Sequence, residues 1–146
     1  MDTIYTIGFT KRTAEDFFET LKKSGARHLL DIRLSNTSQL AGFTKKQDLT
    51  YFLGGLTGMQ YHEVKGLAPA DEIFDRYHAD KDWDSLEKSY RQLLKERNAG
   101  QYVPESWLKE GAVLLCSERE PEHCHRRLAA DYLSQQYPGA YTIVHL

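Results

Sequence analysis

Short apolar runs that read as strands alternate along this chain with longer stretches of helical periodicity, and that alternation leaves few folds open. Thr3–Ile7, His28–Arg33, Gln60–Val64, Ala112–Leu115 and Ala140–His145 read as the strands. Between the first two, Thr13 is a plausible N-cap with Asp16 three residues on. Phe17, Phe18 and Leu21 then form an inward stripe, and Ser24-Gly25 signals a stop. Lys45 to Leu56 reads as a helix with Leu49, Phe52 and Leu53 on one side, and a short helix is expected around Asp71 to His78. Trp83 to Asn98 is an amphipathic helix burying Leu86, Tyr90, Leu93 and Leu94, and a polar connection follows it. The last helix opens near Pro121, which suits a first helical position, and carries Leu128, Ala129, Tyr132 and Leu133 inward. Strands that alternate with helices predict an α/β fold: a single three-layer domain over residues 1–146, with a mostly parallel five-stranded sheet covered by helices on both faces.

Such sheets bind ligands outside the carboxyl ends of their strands. That rule collects the polar residues that follow the strands: Thr10, Lys11 and Arg12; Asp31, Arg33 and the turn-prone Ser35–Ser38; Lys65; Cys116 and Glu118; and His145. All five sets share one rim if every strand is parallel, and an antiparallel edge strand would remove its own set.

The densest chemistry lies between Ala112 and Arg127. Both cysteines of the protein, His123, His125 and three arginines fall there, on a pattern of buried strand, polar turn and helix start. Cys124 and His125 lie one turn before Leu128 and Ala129, so they are expected to point inward near a helix N-terminus. The partial positive charge there favours a thiolate or a bound anion. The same strand-turn-helix pattern would also bring Cys116 and Cys124 near one another.

Read together, Tyr5–Gly8, Leu30–Arg33, Leu115–Glu118, Cys124–Arg127 and the terminal Val144-His145 resemble the bacterial and archaeal family called domain of unknown function 488. The likeness spans nearly the whole chain, and its most specific part is the Cys-x-Glu…Cys-His-Arg block. Many members have Thr-Ile-Gly-His-Ser after the first strand, where this chain has Phe9-Thr10. Many also have a proline and a serine after the Asp-x-Arg, where this chain has Leu34 to Ser38. The resemblance implies an α/β fold and carries no activity with it.

The residues themselves suggest three chemistries. A thiol nucleophile at Cys124 would be activated by His125, Arg126 and Arg127; against it stands the habit of cysteine to be a small buried hydrophobe. Cys116 at a strand end suggests a phosphatase or sulfurtransferase loop. However, such a loop is glycine-rich so that its amides converge on an anion, and residues 117–122 are acidic and contain no glycine. A metal site has suitable donors in Cys116, Cys124, His123, His125 and His145. Their spacing matches no two-residue ligand knuckle, and the arginines among them oppose a cation. A small anionic, nucleotide-like ligand suits Arg33 and Arg126 as planar donors, with Glu118 orienting one of them. The alternative is an Arg–Glu network that only ties loops together, and for Asp31 a structural role is favoured.

The expectation is one pocket at the strand rim. Cys124, His125, Cys116 and Glu118 are its catalytic candidates; Arg33, Arg126, Asp31, Thr10 and Ser38 are its ligand contacts. No resident metal or cofactor is assigned. The rival reading is a metal-binding domain or a non-catalytic protein- or nucleic-acid-binding module. His28, His62 and His78 are expected to be surface or half-buried residues, not ligands.

Composition narrows the partners. The formal net charge of −2 over 146 residues gives no bulk attraction to nucleic acid or to an anionic membrane. Lys11, Arg12, Lys45 and Lys46 are read as a solvated face, and no apolar run reaches membrane-spanning length. Met1–Tyr5 enters a strand pattern without the features of a signal peptide, and two cysteines make no disulfide framework. A cytoplasmic protein with reduced thiols is therefore expected. The sequence sets no oligomeric state.

Overall fold

The computed structural model describes residues 2–34, 42–116 and 124–146. Among the described residues five strands form one sheet: β1 (Asp2–Gly8), β2 (His28–Asp31), β3 (Gln60–Glu63), β4 (Ala112–Cys116) and β5 (Tyr141–His145). Their spatial order is β3-β2-β4-β1-β5, and every pairing is parallel. All carboxyl ends therefore point to one edge, as the rim rule requires.

The α-helices among the described residues are α1 (Ala14–Ser24), α2 (Lys46–Leu56), α3 (Asp71–Asp80), α4 (Trp83–Arg97), α5 (Glu105–Glu110) and α6 (His125–Gln135). Thr13 caps α1 by accepting from the Asp16 amide, and Gly25 ends it in the left-handed conformation. Alternation along β4 sorts the core into two layers. Ala112 and Leu114 face a cluster with Leu86, Tyr90 and Leu94 of α4 and Leu128, Ala129 and Leu133 of α6. Val113 and Leu115 face the other, with Phe17, Phe18 and Leu21 of α1 and Leu49 and Leu53 of α2. A strand covered on both faces must be apolar throughout, which explains the unbroken run.

Gly111 sets how β4 enters the sheet. Its φ is +104°, and a Cβ there would stand 2.9 Å from the Ala26 Cα. Its carbonyl accepts from the amides of Arg27 and His28, fixing the start of β2 beside it. No other residue type allows that approach and that dihedral without strain.

Two elements differ from the sequence reading. The stretch after α4, expected as a polar connection, contains α5; six residues are too few to display a 3.6-residue period. The last helix starts at His125, not near Pro121, because Cys124 is still extended, with φ −128° and ψ 137°. Pro121 itself lies outside the described residues. Among the described residues no helix is long and apolar enough to cross a membrane.

Candidate functional site

Cys116 is the last residue of β4 and has the parity of Ala112 and Leu114, so its side chain belongs to the α4–α6 side of the sheet. Cys124 occupies the N-cap position of α6, and His125 is that helix's first residue. The three side chains meet, with one ligand-type atom of each within 4.8 Å of the others. The Cys124 thiol donates to Cys116 Sγ over 2.8 Å, and Cys116 Sγ lies 3.5 Å from His125 Nδ1. Cys116 is 4% exposed and Cys124 2%.

The imidazole of His125 is oriented by the backbone. Its Nε2 is 2.9 Å from the Ile32 carbonyl, which accepts only, so Nε2 carries a proton. In the neutral ring Nδ1 is then the basic nitrogen, and it is the one that faces Cys116. The ring is held edge-on between Phe74 and Tyr90, with centroids 5.8 and 5.6 Å away and both planes at 84°. The Tyr90 hydroxyl donates to the Leu67 carbonyl over 2.5 Å. Burial, then the neighbouring Cys116 and Cys124, push the Tyr90 phenol well above its ordinary value, with Arg97 opposing them.

The expected lowering of the Cys124 thiol pKa does not occur. Burial pushes it up, and so do its hydrogen bond to Cys116 and that sulfur's charge; His125 opposes them more weakly. Desolvation of a thiolate outweighs the partial charge of one helix end. Cys124 therefore keeps its proton, and His125 Nδ1 stands 3.5 Å from Cys116 Sγ while also interacting with Cys124.

Asp31 and Arg33 reach the same rim on the opposite side of the sheet. Asp31 has the parity of Leu29, which packs with α1 and α2. Arg33 grips Asp31 through Nε and Nη2, each at 2.8 Å, and its Nη2 also donates to the Thr44 carbonyl at 2.6 Å. The Tyr61 hydroxyl donates to Asp31, and the guanidinium lies 5.5 Å from the Phe9 ring centre. Both charged side chains are buried. The sequence reading grouped Arg33 and Asp31 with the cysteines in one pocket. Strand alternation separates them, with the backbone of Ile32 between: its amide donates to the Leu115 carbonyl, and its own carbonyl receives His125.

Of the other predicted residues, Arg126 is fully buried in the first turn of α6, and Thr10 is half-buried in the turn after β1. Glu118, Ser38 and His123 lie outside the described residues. His145 stops short of the rim: it pairs with Thr6, while Gly8 pairs with Cys116, and its Nδ1 meets the Thr6 hydroxyl at 2.5 Å. Lys65 does cross the rim, donating to the Leu34 carbonyl at 3.0 Å. The sequence reading missed Tyr61, Tyr90 and Phe74 as parts of the site. For Tyr90 one signal was available: a tyrosine in an otherwise aliphatic buried stripe needs a polar partner.

Cys116, Cys124 and His125 are donors of the kind zinc accepts, and a ring N–H held by a backbone carbonyl is a common support for a metal-bound histidine. Two thiolates on one tetrahedral zinc, at about 2.3 Å each, stand roughly 3.8 Å apart, whereas these two sulfurs are 2.8 Å apart, so a metal would have to part them. The arrangement is that of a dithiol with a base beside it.

No curated protein and no solved structure matches the chain. One family model does: that described as Domain of unknown function DUF488 matches residues 13–133, from the cap of α1 to the last buried turn of α6 and across Asp31, Arg33, Cys116, Cys124 and His125, and the chain belongs to that family.

Proposed function

We propose that this chain binds a small anionic molecule at the carboxyl rim of its sheet and acts on it by thiol chemistry. In this reading Cys116 is the nucleophile and His125 its base. Nδ1 takes the Cys116 proton, and the sulfur attacks an electrophilic centre of the bound molecule. Arg126 and the amino end of α6, where Cys124 supplies no side-chain cap, contribute positive potential for an anion. Asp31 and Arg33 are positioning residues that hold the end of β2, and through Ile32 the ring of His125. The observation that carries the reading is the Ile32–His125–Cys116 alignment, which presents the unprotonated ring nitrogen to a sulfur.

Timed alkylation by iodoacetamide with peptide mapping tests it. In the native chain Cys116 is expected to react first, and inorganic phosphate or pyrophosphate that raises the melting temperature is expected to slow that reaction. If both cysteines stay inert until the chain unfolds, the reading is overturned.

A further inference from the structure

The nucleophile–base reading leaves one relation unused, that of the two sulfurs to each other. The Cys124 thiol donates a hydrogen bond to Cys116 Sγ over 2.8 Å. Cys116 ends a strand and Cys124 stands in extended backbone just before a helix, so both are anchored by regular elements on their outer sides. Such a pair needs only a small movement to bond, since a disulfide closes to about 2.05 Å. His125 completes the set, because its Nδ1 lies 3.5 Å from the sulfur that accepts this hydrogen bond.

We propose that Cys116 and Cys124 form a reversible dithiol–disulfide couple, in which Cys116 meets a small hydroperoxide and Cys124 resolves it. The proposal rests on the Cys116–His125 pairing above but needs no anionic ligand. Burial selects the oxidant: with both sulfurs at most 4% exposed, a folded protein's disulfide cannot reach them, whereas a molecule little larger than water can.

In the first step His125 takes the Cys116 proton and the thiolate attacks one peroxide oxygen. The O–O bond breaks, and the departing oxygen takes that proton and leaves as water or an alcohol. Cys116 is then a sulfenic acid, oxidised by two electrons. In the second step Cys124 gives up its proton and its sulfur attacks Cys116 Sγ. The S–O bond breaks, and the hydroxide leaves with the Cys124 proton as water. One peroxide has been reduced and two thiols have become one disulfide. The oxidised pair has no nucleophile left, so oxidation silences the site until a dithiol reductant restores it.

The test uses the full chain, reduced and then freed of reductant, exposed to hydrogen peroxide in its native state and read by intact mass. The expected result is a loss of about 2 Da as the two hydrogens leave, with both thiols disappearing together and both returned by dithiothreitol. With Cys124→Ser, Cys116 is expected to stop at the sulfenic acid and to be captured by dimedone. The proposal is overturned if the wild-type chain keeps both thiols. It is also overturned if the chain gains oxygen at one sulfur without closing the bond, or if a stoichiometric metal ion shields the pair. The wild-type measurement stands even if the variant fails to fold. Cys116 that alkylates rapidly yet never closes a disulfide would sink the couple and spare the nucleophile. A disulfide that forms while Cys116 alkylation ignores His125 would do the reverse.

Discussion

Two buried histidines sit at opposite ends of the same sheet, and their neighbours give them opposite tasks. At the carboxyl rim His125 donates one ring nitrogen to a backbone carbonyl and turns the other toward a thiol. At the amino end His28 has its Nε2 2.6 Å from the Glu110 carboxylate and its Nδ1 2.9 Å from His62 Nε2. His62 in turn stacks on Trp107 of α5, centroid to centroid at 3.7 Å. Both nitrogens of His28 are consumed in tying α5 to β2 and β3, whereas His125 keeps its basic nitrogen against a reactive atom. Similar burial therefore says little about what a histidine does; the partner atoms decide. The two ends also differ in closure. Asp31 and Arg33 are sealed together at the rim, while the Glu110 side chain remains 49% exposed.

The largest expected effect sits at the sealed end. Asp31→Ala leaves the Arg33 guanidinium buried without its carboxylate, which should cost about 3–5 kcal/mol in urea unfolding. A loss under 1 kcal/mol would show that the rim is wetter than its burial indicates. Next comes His125→Gln, whose amide N–H can keep the Ile32 bond while no base remains near Cys116. Alkylation of Cys116 at neutral pH should slow about 10²-fold, with stability little changed. An unchanged rate would reduce His125 to the bracing role of His28. Tyr90→Phe removes one buried donor from the Leu67 carbonyl and should cost roughly 1 kcal/mol.

The smallest effect belongs to the open end. Burial, then His28, lower the His62 pKa from its usual 6.5, so the unfolded chain binds that proton more readily than the folded one. Stability from this source is complete above about 6.5 and falls as the pH drops through the folded value. His62→Gln should therefore flatten the melting temperature between pH 7 and 5 relative to wild type. The change should be slight, because water still reaches the half-buried ring. An identical slope in both chains would remove the His28–His62 contact from the pH response.

Much of this was legible in the residues and some was not. The strand and helix segments were, because periods of 2 and 3.6 are local properties of a chain; α5 was too short to show one. His28 was expected near the surface and is instead buried, since what covers it is α5, the helix that pattern alone missed. At the rim, the density of Cys116, Cys124 and His125 in the sequence is matched by their meeting in space, while the lowered Cys124 thiol expected from its helix position is not found. Helix position is visible in a sequence. The burial that raises the Cys124 thiol is a property of the packed molecule and is not written in helix position.

By itself, then, the sequence determined the class of fold, the all-round burial of β4 and the gathering of polar residues at strand ends, all of which follow from periodicity and chain direction. Only the tertiary structure decided that β4 lies between β1 and β2, and which helices cover each face. From those two choices came the pairing of Cys116 with His125 and the separation of Asp31–Arg33 to the other side. The reason is physical: alternation states that neighbouring side chains part, but only the packed layers state what each of them meets.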